Sequence, residues 1–149
     1  DGTEAELYYV KSDGTDMRRL TYNSVPESSP TISYYGDWYI NFFKCRILFK
    51  SGTGSASELY AINPDGTELL RLTFNSVEEH YPRISQDGNM VTFVANNEVY
   101  VMSSWGGFLK RLTYNTAIES HTDTNYWGDL VACLTYAVTG TTTELVVFY

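Results

Sequence analysis

Three glutamates recur at one place in the chain, and with two histidines beside them they are the residues best suited to chemistry. Glu27, Glu79 and Glu119 each lie six residues past the threonine of an Arg-Leu-Thr triplet, and they are followed by Ser28-Ser29, His80-Tyr81 and Ser120-His121. Carboxylates and imidazoles gathered at one point can hold a divalent cation or bind the polar groups of a ligand. The plainer alternative is that the glutamates orient backbone amides in a loop and the histidines are ordinary polar loop residues. Trp105, in a glycine-rich turn, is the best candidate contact residue among Trp38, Trp105 and Trp127, a trio that suggests stacking on carbohydrate.

These residues sit in a chain that repeats itself, so the repeat has to be read before the site. Residues 6–24 read ELYYVKSDGTDMRRLTYNS, residues 58–76 ELYAINPDGTELLRLTFNS, and residues 98–116 EVYVMSSWGGFLKRLTYNT. Each is a β-prone run, a tight turn and a return run, which is the signature of a hairpin. Asp13-Gly14 and Asp65-Gly66 provide the backbone angles that such a turn needs. Arg19, Arg71 and Arg111 each close a strand and are expected to pair with a nearby carboxylate or carbonyl. Thr21, Thr73 and Thr113 read as structural in the same way.

After each Arg-Leu-Thr comes a polar loop and a second hairpin. Ser29-Pro30-Thr31-Ile32-Ser33 leads to a turn at Gly36-Asp37 and a strand over residues 38–43. Tyr81-Pro82-Arg83-Ile84-Ser85 leads to Asp87-Gly88 and a strand over residues 90–95, and the third version turns at Gly128-Asp129. The unit is therefore four antiparallel strands. Arg19 to Arg71 is 52 residues and Arg71 to Arg111 is 40; the longer interval is assigned to an extended hairpin loop between residues 43 and 58.

The composition agrees with an all-β domain. Of 149 residues, 43% are hydrophobic, 15% aromatic and 19% charged, and tyrosine alone occurs 13 times. The net charge of −8 argues against a nucleic-acid backbone or an anionic membrane as partner, and no window is long and apolar enough to insert in a membrane as a helix. Cys45 and Cys133 stand in apolar surroundings in different units and read as buried free thiols, with a single disulfide as the alternative.

An Arg-Leu-Thr strand end, a polar loop, a Pro-x-x-Ser-x-Asp-Gly turn, an apolar strand and a Glu-Leu-Tyr strand together resemble the TolB-like (WD-like) β-propeller repeat. Residues 71–101, RLTFNSVEEHYPRISQDGNMVTFVANNEVYV, carry the resemblance most fully; the first unit departs from it at Tyr34-Tyr35-Gly36, and the third lacks both the proline and the serine. The resemblance implies four-stranded blades with the Pro-x-x-Ser strand innermost. Residues 1–24 are then the C-terminal hairpin of a blade, 27–74 and 79–114 are whole blades, and 119–149 is an incomplete one. About three blades are too few to close a ring. Either more sequence completes the propeller or a second chain does, through a homo-oligomer with strand exchange; a dimer would give six blades, and a non-closing contact a filament.

In a propeller the loop after Arg-Leu-Thr leads into the innermost strand, so Glu27, Glu79, His80, Tyr81, Glu119 and His121 are expected at one mouth of the central channel. Some TolB-like sugar lyases hold a metal there with histidines, which makes a divalent cation and a carbohydrate ligand one alternative. No Gly-x-Ser-x-Gly, Gly-x-x-x-x-Gly-Lys, His-Glu-x-x-His or Cys-x-x-Cys motif occurs, which points away from catalysis by this chain alone. The leading expectation is a non-catalytic module, without a cofactor, that binds a protein or another extended ligand through the mouth loops. The resemblance also implies a periplasmic or extracellular location.

Overall fold

Among the described residues thirteen strands follow one another with one turn of 3-10 helix, Gly54–Ala56, between them. The computed structural model describes residues 4–34 and 45–136, together with the backbone of one further strand over residues 143–148. A two-stranded hairpin, β1 (Tyr8–Tyr9) and β2 (Arg18–Arg19), comes first. Two four-stranded antiparallel sheets come next. One contains β3 (Glu27–Ile32), β4 (Ile47–Ser51), β5 (Glu58–Ile62) and β6 (Leu70–Arg71); the other β7 (His80–Ile84), β8 (Met90–Ala95), β9 (Glu98–Ser103) and β10 (Lys110–Arg111). A three-stranded sheet of β11 (Ile118–Thr124), β12 (Val131–Tyr136) and β13 (Thr143–Phe148) completes the order. Every strand pairs with its sequence neighbour, the meander of a propeller blade.

The strand following Ser33 is displaced from its expected place. Residues 36–43, including Trp38 and the Gly36-Asp37 turn, lie outside the described residues, and β3 pairs with Ile47–Ser51. The additional length of the first interval therefore falls mainly between β3 and β4. A shorter share falls between β4 and β5, in the turn that contains Gly54–Ala56. The physical cause is burial: Ile47, Leu48 and Phe49 are 5%, 0% and 1% exposed, an apolar run that both faces of a packed sheet can bury.

Apolar side chains lie between the sheets, and each layer draws on two successive units. Leu48, Leu59 and Leu72 of the first sheet meet Ile84, Val91, Phe93 and Met102 of the second. Leu7 and Leu20 of the first hairpin pack on Ile47, Phe49 and Ile62, and Val94 and Val99 pack on Val131 and Cys133. Each fully buried aliphatic side chain contributes about 1.5–3 kcal/mol, so it is contact between units that holds the stack together. Both cysteines are free and buried, and burial raises both thiols above their ordinary value.

The hairpin turns are built as their residues require. Asp13 Oδ1 accepts from the Thr15 amide at 2.9 Å and from its hydroxyl at 2.6 Å, and Asp65 does the same for Thr67 at 2.9 and 2.6 Å. These bonds hold both carboxyls below their ordinary value. Gly128 has φ +76°, and a Cβ there would lie 2.4 Å from Met90 Cβ, so the turn of the third sheet fits against the second only as glycine.

Candidate functional site

Each unit carries the same polar frame between its third and fourth strands. Arg19, Arg71 and Arg111 donate through Nη2 to Oε1 of Glu6, Glu58 and Glu98. The same arginines donate through Nε to the carbonyls of Thr21, Thr73 and Thr113 at 2.7, 2.8 and 2.6 Å. The threonine hydroxyls in turn accept the buried backbone amides of Leu7, Leu59 and Val99 at 2.9, 2.8 and 2.9 Å. An aromatic ring covers each guanidinium: Tyr22, Phe74 and Tyr114 have their centroids 4.8, 4.7 and 4.6 Å from the arginine Cζ. The frame satisfies polar groups that a strand end would otherwise leave bare in the interior.

Glu27, Glu79 and Glu119 are bonded into this frame. They are 7%, 0% and 2% exposed, and Oε1 of each accepts from the side-chain amide of Asn23, Asn75 or Asn115 at 2.9, 2.8 and 2.8 Å. Those asparagines also accept from the amides of Val25, Val77 and Ala117, each at 2.6 Å, which fixes the polar loop. Burial, reinforced by the neighbouring carboxyl of Glu58, lifts Glu79 above the usual carboxylate range; burial and Glu98 do the same to Glu119. Among the described residues no three His, Cys, Asp or Glu side chains approach closely enough to hold a metal ion.

Immediately past the frame, the backbone makes the same unusual turn three times. Ser29, Tyr81 and His121 adopt φ of 51°, 51° and 53°, left-handed values that cost a non-glycine residue about 1–2 kcal/mol. At each of these points the pairing of the first two strands slips, between Ser28 and Thr31, His80 and Arg83, and Ser120 and Asp123. Such bulges turn side chains out of the sheet. Strand β7 packs between β3 and β11, and the hydroxyl of Thr122 donates to the Tyr81 carbonyl at 2.8 Å, so the three bulges are neighbours.

They border a cleft of about 430 Å³ lined by Ser29, Lys50, His80, Tyr81, Arg83 and His121, among others. Tyr81 and His121 stack with centroids 4.2 Å apart, and the His80 ring lies 6.1 Å from Tyr81, tilted by 42°. Lys50 donates to Glu78 at 2.8 Å, which holds that carboxyl below its ordinary value, whereas Arg83 has no ion-pair partner among the described residues and donates only to the Pro82 carbonyl at 3.0 Å. A row of three rings beside an uncommitted guanidinium can stack on a planar or apolar group while neutralising a carboxylate.

The structure thus gathers Glu79, His80, Tyr81 and His121 at one cleft and leaves Trp105 elsewhere. Trp105 lies in the β9–β10 turn, at the other end of the sheet from His80, where it is 43% exposed and covers the Arg46 guanidinium at 4.2 Å. Arg46 itself is fully buried and bonds Asn63 Oδ1 at 3.2 Å, a packing role with no periodic signal in the sequence. Two cleft residues were not singled out by sequence. Arg83 occupies the bulged strand where the other units have Thr31 and Asp123, a departure visible in the aligned repeats. Lys50 arrives from a neighbouring sheet, and nothing local marks it.

No family model matches the chain, and no curated protein does. Among solved structures the chain is similar to a putative TolB from Agrobacterium tumefaciens, with a TM-score of 0.69 and 17% identity over 97% of this chain and 52% of that one. It is likewise similar to TolB from Acinetobacter baumannii, with a TM-score of 0.56 and 17% identity over 97% of this chain and 47% of that one. The fold is therefore that of a partial TolB-like β-propeller, and the chain spans about half the length of these neighbours.

Proposed function

We propose that this chain is a non-catalytic interaction module that receives an extended segment of a protein at the cleft formed by the three bulges, and that the segment brings an acidic group to Arg83. The observation that carries this reading is the stack of Tyr81 on His121 beside a guanidinium with no carboxylate of its own. Its local charge contrasts with a chain whose net charge is −8, which steers an acidic partner segment to this cleft rather than to the rest of the surface. A carbohydrate held through a metal has less support, because the three repeated glutamates are turned into the sheets and bonded to asparagine. A periplasmic or extracellular location belongs to the same reading.

The test is calorimetric titration with a short Asp- and Glu-rich peptide and, in parallel, a Lys-rich one. The acidic peptide is expected to bind and to weaken by about tenfold or more, 1.4 kcal/mol, in Arg83→Ala and in Tyr81→Ala. Equal binding by both peptides, or no change in either variant, overturns the reading.

A homodimer that completes six blades is the reading for assembly, supported by a chain that spans about half the length of its TolB neighbours. Register refines how the ends would meet. Thr135 pairs with Glu144 and Leu134 with Leu145, as Ala95 pairs with Glu98 and Val94 with Val99, so β13 is a third strand. Glu6-Leu7, just ahead of β1, carries the same pattern. A shared blade therefore needs β2 of the second copy, and one of the two third strands must give way. Light scattering that finds a monomer stable on dilution would exclude the dimer.

A further inference from the structure

Each frame holds two carboxyls, and its arginine pairs with one of them: Arg19 with Glu6 beside Glu27, Arg71 with Glu58 beside Glu79, and Arg111 with Glu98 beside Glu119. Two ionised carboxylates and one guanidinium would leave an uncompensated negative charge inside every unit, which a desolvated interior disfavours strongly. The hydrogen-bond inventory separates the first unit from the other two. Thr21 Oγ1 receives the Leu7 amide at 2.9 Å and lies 2.7 Å from Glu6 Oε2 and 3.1 Å from Glu27 Oε2. A hydroxyl has one proton and can donate to only one of the two oxygens. The shorter contact takes that proton and, together with Arg19, holds the Glu6 carboxyl below its ordinary value.

In the second and third units the Oε2 atoms of Glu58, Glu79, Glu98 and Glu119 are buried without a hydrogen-bond partner. A bare, buried carboxylate oxygen is costly, and a proton on one member of the pair removes the charge and creates a donor. We infer that the second and third units of this propeller each hold one proton on their pair of buried carboxyls at neutral pH, as a built-in pH-sensitive element. Ionisation then places a second negative charge on the residue two positions before the left-handed bulge, Glu79 before Tyr81 and Glu119 before His121. The strained segment that shapes the cleft is where the repulsion is felt.

The charged and titratable surroundings are few. Glu79 faces Glu58, which pairs with Arg71, with Lys50, Glu78 and His80 on the cleft side. Glu119 faces Glu98, Arg111 and the Cys133 thiol. Glu27 faces Glu6 and Arg19, with the hydroxyls of Thr21 and Ser51 and the Asn23 amide completing its shell. None of these supplies a second cation to the pair. A folded state that keeps a proton the unfolded chain has released is most stable at low pH, and loses stability as pH rises from the ordinary carboxylate value through the raised one.

The test uses the intact chain labelled with carbon-13 at the glutamate side-chain carboxyls, titrated by NMR from about pH 4 to about pH 9. The expected result is that Glu79 and Glu119 keep the chemical shift of a protonated acid to a pH at which the urea-unfolded chain has titrated completely. Both carbons titrating with the unfolded chain, or both ionised throughout, overturns the inference. A second measurement compares thermal unfolding of the wild type with Glu79→Gln and Glu119→Gln combined, since Gln imitates the neutral acid. The wild type is expected to lose melting temperature across that range and the variant to lose that slope, whereas an unchanged slope counts against the inference. If the variant does not fold, the NMR titration decides alone.

Discussion

Glu79 and Tyr81 are two residues apart and belong to two different kinds of position. The glutamate site has one residue type in all three units, one hydrogen-bond partner type and almost no exposure. The bulge site has one backbone conformation in all three units, with φ near 50°, and three different residues, Ser29, Tyr81 and His121. The first kind of position repeats because its partners repeat. The second repeats only in its backbone, which bends by the same amount whatever it displays. A propeller of this type therefore separates the groups that shape the loop from the groups that the loop presents, and a residue's recurrence is evidence for the former role.

Breaking the frame should cost far more stability than stripping the cleft. The largest loss is expected for Arg71→Ala, which leaves Glu58 buried without its cation: about 3 kcal/mol by urea unfolding, at the lower end for buried pairs because the arginine side chain is 40% exposed. Thr73→Val should cost about 1–3 kcal/mol, since the Leu59 amide then has no acceptor, while Thr73→Ser should recover most of that stability. Ser29→Gly, Tyr81→Gly and His121→Gly should each change stability by less than about 1 kcal/mol, the relief of a left-handed side chain offsetting glycine's entropy. A loss above that at Tyr81 would mean the ring stack is a structural pillar, and the contrast between the two sites would weaken. The smallest effect is chemical. Cys133, raised by burial and facing Glu119, should be alkylated by a thiol reagent at neutral pH only when the chain is unfolded, as should Cys45.

Hairpins, turns and the arginine's role were legible because they are local. Asp13 and Asp65 need only the next two residues to make their turns, and Arg71 reaches Glu58 across a single hairpin. The role of the glutamates was only half legible. Their recurrence was plain, but a carboxylate in a polar loop reads equally well as a ligand, and only the direction of the side chain shows that Asn75 takes Glu79 inward. The place of β4 was not legible for a similar reason: the apolar run at residues 47–51 becomes a strand of this sheet through its contacts with Leu59, Ile62 and Ile84, which are distant in sequence.

By itself the order of residues determined the unit, its turns, its all-β class and the spacing that brings one frame to each blade, since each follows from contacts made within about 20 residues or from a period that can be counted. The tertiary structure alone decided what faces the cleft. Lys50 reaches it from another sheet, Tyr81 and His121 stack across 40 residues of chain, and the bulge that turns them outward is a consequence of pairing between strands. Side chains brought together by packing leave no mark on local spacing, which is why the glutamates attract attention in the sequence and the rings beside them define the cleft.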